Sequence, residues 1–191
     1  MAAQVSAGRE VRVVWAVEVR AAAPADAEAV AQVQTLGWQQ GYAGLLPDDY
    51  LATLSLAAAE QRWRSQLVHA ERTTDELVAL VGGQVVGMAV VGPSTDPDRP
   101  PDGSRGELFA LYVRREHWGA GVGHALHQRS LARLGERGFD QAGLWVLRGN
   151  ERAAAFYRRH GWLADRLLRT DRSGTTSWQE RRMLRDLRAS R

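Results

Sequence analysis

Between Leu111 and Gly123 the chain reads Leu-Tyr-Val-Arg-Arg-Glu-His-Trp-Gly-Ala-Gly-Val-Gly: an apolar run, a polar turn, then glycines at 119, 121 and 123. Such a passage can hold a phosphate. Glycine brings backbone close to a ligand with no Cβ in the way and reaches the φ angles that aim successive N–H groups inward. A helix starting there adds its unpaired first-turn N–H groups and the positive end of its dipole. Two familiar phosphate loops do not fit. A nucleotide-binding Gly-Lys-Ser/Thr loop is ruled out because the chain has no lysine. A dinucleotide loop needs Gly-x-Gly-x-x-Gly early in a parallel sheet, whereas here the spacing differs and a hairpin precedes it. A plain strand-to-helix turn also uses glycine, so the three glycines alone leave that alternative open.

The elements that must position this turn follow from periodicity and punctuation. Residues 108–113 read as a strand and 122–134 as a helix, with Leu126 and Leu134 along it. A strand over 142–147 follows, then a helix over 152–159 capped by Asn150, and closing strands over 163–169 and 175–184. Upstream, residues 1–10 are expected to be disordered, 11–19 to form a strand, and Asp26 to cap a helix carrying Val30, Val33 and Leu36. Gly37, Gly41 and Gly44 predict a broken helix or loop over 38–46. A short helix is expected from Pro47 to Leu54, and Ser55 should cap another with Leu56, Ala59, Trp63 and Leu67 on one face. Gly82-Gly83 between apolar runs predicts a hairpin. Residues 92–106, with Pro93, Pro97, Pro100 and Pro101, predict a long surface loop and a mobile flap. The boundaries expected are one domain over 11–187 and a tail over 188–191.

Composition narrows the chemistry. The 191 residues include no cysteine, which excludes disulfides, thiolate nucleophiles and Cys-ligated zinc. No Gly-x-Ser-x-Gly elbow occurs, and the five histidines form no His-Glu-x-x-His, so no metal is implied. No apolar run reaches the roughly 18 residues of a membrane span. Charged residues interrupt the first twenty positions, so a cytoplasmic protein is expected, without membrane association. Charge is asymmetric: residues 1–104 hold 7 Arg and 13 Asp or Glu, net −6, and residues 105–191 hold 18 and 9, net +9. The basic half suits an anionic partner. Its arginines are scattered without interleaved aromatics, so a phosphate-bearing cofactor is preferred to nucleic acid, and a solvated basic face explains many of them equally well.

The glycine turn resembles the Gln/Arg-x-x-Gly-x-Gly/Ala motif of GNAT acetyltransferases, read here as Trp118-Gly-Ala-Gly-Val-Gly123, with Trp118 where Gln or Arg is usual. The likeness extends to Asn150-Glu-Arg-Ala-Ala-Ala-Phe-Tyr157-Arg-Arg-His-Gly-Trp162, which is similar to the family's Asn-x(6)-Tyr-x(3)-Gly-Phe block. With element order and length it covers residues 15–187. The fold this resemblance implies is an α/β (mixed α+β) domain: a twisted, mostly antiparallel sheet with helices on both faces. Two central strands, 108–113 and 142–147, would splay apart around the pantetheine arm of acetyl-CoA. Backbone groups of Leu111, Tyr112 and Val113 would hold the thioester and pantetheine. Trp118, Gly119, Ala120, Gly121, Val122, Gly123 and His124 would wrap the pyrophosphate, and Asn150 would bind the arm. Tyr157 would serve as general acid for the departing thiolate. Glu107, at the start of the central strand, is the candidate base, directly or through water. The peptide-acetylating members place a Glu five residues before the Asn, where this chain has Trp145.

Residues 38–51, Trp-Gln-Gln-Gly-Tyr-Ala-Gly-Leu-Leu-Pro-Asp-Asp-Tyr-Leu, resemble the Trp-x(3)-Tyr-x-Gly-x-x-Pro block of small-molecule members of that family. The resemblance puts Trp38 and Tyr42 on the acceptor wall, where aromatics can clasp an alkylamine, and the acidic first half would recruit a cationic substrate. The same rings serve equally well as core. The function implied is direct acetyl transfer to a primary amine of a small molecule, a metabolite or antibiotic, by a monomer or homodimer. Transfer to a protein N-terminus or lysine, and a CoA-binding regulatory module without turnover, are the alternatives.

Overall fold

The computed structural model describes residues 16–69 and 71–188. The strands are β1 (Glu18–Ala21), β2 (Asp75–Val81), β3 (Gln84–Pro93), β4 (Arg105–Val113), β5 (Gln141–Leu147), β6 (Leu163–Ser173) and β7 (Thr176–Asp186). The helices are α1 (Ala27–Gly41), α2 (Asp48–Ala52), α3 (Leu56–Val68), α4 (Val122–Glu136) and α5 (Glu151–Arg159). The strands form one sheet in the order β1-β2-β3-β4-β5-β7-β6. The expectation for residues 1–10, residues 11–15 of the first expected strand, and residues 189–191 of the tail lie outside the described residues. Within them the first strand starts at Glu18.

Local chemistry sets several boundaries. Gly82 and Gly83 have φ of 57° and 79°, which closes β2 onto β3 as a two-residue hairpin. Ser55 accepts the Ala58 N–H and starts α3; Asn150 accepts the Ala153 N–H and starts α5. Two apolar faces then cover the sheet. On one side Val30 and Val33 of α1 and Trp63 and Leu67 of α3 pack on Val78 and Met88. On the other, Leu126 and Leu134 of α4 pack on Ala79, Val86 and Ala89, and Trp162 joins them. Each fully buried Leu, Val or Met contributes about 1.5–3 kcal/mol.

Three expectations need correction. The glycines at 37 and 41 do not break α1, which runs to Gly41. A Cβ on Gly37 would stand 2.7 Å from the Tyr112 ring, so its absence lets helix and sheet meet closely, and that packing overrides poor helix propensity. Leu56 is exposed, while Ala59, Trp63 and Leu67 are buried as expected. The proline-rich segment is not a free flap. Strands β3 and β4 take its ends, and the remainder is pinned by buried Asp96, which accepts from Trp145 Nε1 at 3.0 Å and Arg182 at 3.2 Å.

Every neighbouring pair of strands is antiparallel except β4 and β5. Those two are parallel and pair only where Arg105–Glu107 meets Gln141–Gly143. Beyond Glu107, β4 pairs with β3 alone and β5 with β7 alone. A bulge contributes to the separation: Val90 faces Ala110 and Val91 faces Leu108, so Phe109 is an extra residue that bends β4. The sheet is thus opened at its centre.

Candidate active site

The opening is lined from both strands and both flanking helices. A cavity of about 470 Å³ lies against the glycine turn and is bounded by the end of β4, Trp118 and α5. A smaller cleft of about 100 Å³ continues into the fork between β4 and β5 and reaches Gly37, Gly41 and Tyr42 of the α1 end. Tyr112, Arg152 and Tyr157 border both.

Gly119 and Gly121 have φ of 77° and 85°, and a Cβ on either would meet nothing within 4 Å. The conformation therefore demands glycine and the space before it is open. Gly121 is the N-cap of α4, and the first N–H paired into that helix is Ala125, bonded to the Gly121 carbonyl at 2.9 Å. The N–H groups of Val122, Gly123 and His124 precede that bond and have no carbonyl within the helix to meet. His117, Arg159 and His160 join them around the cavity. This turn fits a diphosphate: donors, positive charge and room coincide.

Among the residues expected to wrap the phosphates, Trp118, Gly119, Gly121, Gly123 and His124 line this cavity; Ala120 and Val122 do not. The Ala120 N–H bonds back to His117, and the Val122 side chain is buried in the core. Leu111, Tyr112 and Val113 do border it, but the Val113 carbonyl already accepts from Trp118 Nε1 at 2.7 Å. That occupies one of the carbonyl's two lone pairs and ties the indole N–H to the strand end, so the ring, and no hydrogen-bond donor, is what Trp118 can offer the cavity. The Arg152 guanidinium, from α5, lies 3.3 Å from the centre of the Trp118 ring.

Asn150 is buried and borders the cleft, with its side-chain oxygen held as the helix cap. Tyr157 sits where the two cavities meet. Burial, and then Tyr42, raise its pKa, so the phenol stays protonated across the neutral range. Tyr42 and Tyr112 are raised by burial too, and their hydroxyls stand 3.5 Å apart. The tyrosine at 112 thus brings a side chain as well as a backbone to the cleft, which the sequence pattern did not reveal.

Glu107 borders neither cavity. It is buried at the base of the fork, where it accepts from Ser94 Oγ at 3.3 Å and the Thr95 N–H at 3.2 Å. Burial raises its pKa, opposed by the Thr95 N–H. Tyr42 borders the cleft; Trp38 stands behind it, edge-on to Tyr42, Tyr50 and Trp178. Trp38 is therefore a packing residue of that wall and Tyr42 its inner surface. Among the described residues, no carboxylate of the acidic first half lines either cavity, so any attraction those acids exert on a cationic substrate acts from outside the site.

His160, His124 and His127 form a cluster of which the sequence motifs pointed only to His124. The Phe156 carbonyl accepts from His160 Nδ1 at 2.8 Å, which leaves His160 Nε2 to face His124 Nδ1 at 2.9 Å. Fully buried His127 accepts from Trp162 Nε1 at 2.8 Å. Among the described residues no group of three or more His, Asp or Glu is arranged to hold a metal ion, and no helix is long and apolar enough to cross a membrane.

Comparison with known proteins agrees with this geometry. Residues 38–162 match the profile described as the Acetyltransferase (GNAT) family. Over 134 residues the chain is 30% identical to a Bacillus subtilis (strain 168) protein named Uncharacterized N-acetyltransferase YuaI, covering 70% of this chain and 73% of the relative. It is likewise 30% identical over 153 residues to Probable N-acetyltransferase Rv2775 of Mycobacterium tuberculosis (strain ATCC 25618 / H37Rv), covering 78% and 81%. Among solved structures, the PaiA N-acetyltransferase of Thermoplasma acidophilum in complex with coenzyme A superposes with a TM-score of 0.69 at 17% identity, covering 90% of this chain and 99% of that one. The mixed sheet parted at its centre, the glycine turn beside it and the match over more than half its length together make this chain a member of the acetyltransferase (GNAT) family, an N-acetyltransferase by class.

Proposed function

We propose that the chain transfers the acetyl group of acetyl-CoA directly to a primary amine of a small molecule. The observation that carries this is the junction of a phosphate-suited cavity with a narrow cleft, with Tyr157 bordering both. When bound, acetyl-CoA supplies an activated thioester. The residues then divide the work. The turn around Gly119 and Gly121 anchors the diphosphate, and the exposed edge of β4 at Leu111 aligns the pantetheine in the fork. The cleft delivers the amine, so two reactants meet in one geometry and part of the barrier is met by proximity. As the new C–N bond forms and the C–S bond breaks, Tyr157 hands its phenolic proton to the sulfur. The proton lost by the amine goes to solvent, or to Glu107 through water, where the raised pKa of the carboxyl suits it to receive one, and a proton from solvent restores the Tyr157 phenol.

A small acceptor is favoured over a protein by two features. The cleft is only about 100 Å³, and no residue of the pinned segment between β3 and β4 lines it. Homodimerisation is part of the proposal, through edge strand β6, whose Leu163, Leu167 and Leu168 are exposed; sedimentation velocity checks it. The chemistry is tested by incubating the protein with acetyl-CoA and a panel of amines while following free thiol and product mass. Amine-dependent thiol release is expected. An acetyl-CoA soak showing density away from the Gly119–Gly123 turn would overturn the assignment of the cavity.

A further inference from the structure

Among the described residues Arg152 is the one charged side chain bordering the small cleft, and it stands where that cleft meets the larger cavity. Among the described residues it makes no ion pair, and its only partner is the Trp118 ring at 3.3 Å. Three things disfavour a cation there. It stands in the first turn of α5, at the positive end of the helix dipole. It is partly desolvated, and Arg115 adds repulsion, both of which lower its pKa. No nearby carboxylate answers it: Glu151 pairs with Arg158, Glu180 with Arg169, and Glu107 is held by Ser94 and Thr95. An unanswered guanidinium held against the face of an indole is preorganised for a bidentate anion.

Its position says which anion. A Cβ on Gly41 would lie 3.9 Å from Arg152 Nη2, so the guanidinium reaches toward the α1 end of the cleft. The diphosphate end of the larger cavity already has the turn, His117, Arg159 and His160. The rest of the cleft is apolar or uncharged, with Phe109, Leu111, Trp145 and Leu147 among its walls.

Resting on the acetyltransferase assignment above, we infer that the acceptor is an amino-acid-like amine, bearing a carboxylate or similar acid beside its amino group and an apolar side chain, with Arg152 binding the acid. Polycationic acceptors such as polyamines and aminoglycosides are excluded by the same charge. The test sets apolar amino acids, including leucine, methionine and phenylalanine, against the amines they become on losing the carboxylate. The acid-bearing partner should win in kcat/KM by about 10- to 100-fold, the worth of a charge-assisted hydrogen-bonded pair. Arg152→Gln should raise the acceptor KM by a similar factor and leave the KM for acetyl-CoA within about 2-fold, with Arg152→Lys recovering part of the loss. In parallel, calorimetry on the CoA-loaded protein should show binding of the amino acids and none of the decarboxylated amines. Equal use or equal binding of the two sets overturns the inference, as does an Arg152→Gln defect confined to acetyl-CoA and absent with acetyl-pantetheine, which would give the residue to the phosphates. Failure of the protein to bind acetyl-CoA at all would instead strike the acetyltransferase assignment.

Discussion

At the scale of single residues, Tyr157 and Gly121 separate chemistry from binding. A proton donor to the departing sulfur must be protonated at working pH, and burial keeps the Tyr157 phenol so. Tyr157→Phe keeps the ring in its pocket and removes only the proton. We expect kcat to fall about 100-fold, the low end for loss of a general acid, with the KM for acetyl-CoA within about 2-fold; steady-state kinetics at saturating acceptor decides, and unchanged kcat would acquit the residue. Gly121 tests the cradle. At φ of 85° an alanine costs about 1–2 kcal/mol, and its methyl would project into the space before the turn. Gly121→Ala should therefore weaken CoA binding by about 10-fold or more in calorimetry. Gly123→Ala should not, because a Cβ there meets Phe156 and Val113 at ordinary distances of 3.7 and 3.8 Å. Equal losses at both positions would show that the turn responds to bulk alone.

Among the elements, the segment joining β3 to β4 departs furthest from its sequence. Four prolines over 93–101 read as a flap, yet Asp96 and Arg182 are both 4% exposed and paired at 3.2 Å. Burial alone would lower the pKa of Arg182, but hydrogen bonds with Asp98, Asp165 and Asp96 outweigh it and raise the value. The guanidinium ties the segment to β7 and β6 together, while Asp96 also holds the Trp145 indole at the cleft wall. Arg182→Met would leave buried Asp96 with only the more distant Arg105, 4.0 Å away, and denaturant titration should show a loss of about 3 kcal/mol, the low end for a broken buried pair. A loss under about 1 kcal/mol would mean that water takes the place of the arginine.

Across the whole molecule, the charge asymmetry finds much of its answer internally. Asp75 of the acidic half pairs with Arg133 and Arg137 of α4 and its end, and Asp98 with Arg105 and Arg182. Among the described residues, Arg152 and Arg159 stay without an ion pair at the cavity, and Arg148, Arg166, Arg172 and Arg181 do so away from it. Stability should also carry a whole-chain pH signature through His127. Burial, then the charges of His160, Arg185 and His124, lower its pKa to about 3, against about 6.5 when unfolded. Because the folded value is the lower one, the unfolded chain takes up the proton first as pH falls, and stability drops between about pH 6.5 and the folded value. The slope approaches about 1.4 kcal/mol per pH unit. Denaturation at pH 7.0 and 4.5 should differ by about 2–3 kcal/mol in the wild type and far less in His127→Gln. Equal stability of the wild type at both pH values would show that protonated His127 is accommodated.

The sequence by itself determined whatever depends on neighbours along the chain. The Gly119 and Gly121 turn, the Gly82-Gly83 hairpin, and the Ser55 and Asn150 caps are written in backbone requirements that one or two residues meet alone, so their positions were legible in advance. The paired glycine and Asn-Tyr motifs carried the family, and with it the forked sheet. Tertiary structure alone decided the rest: the run of α1 through Gly37, the meeting of Tyr42, Tyr112 and Tyr157, the stacking of Arg152 on Trp118, and the capture of Asp96 by Arg182. Each joins residues tens of positions apart, and the direction a side chain takes there is set by what packs against it, which spacing along a strand or helix does not encode.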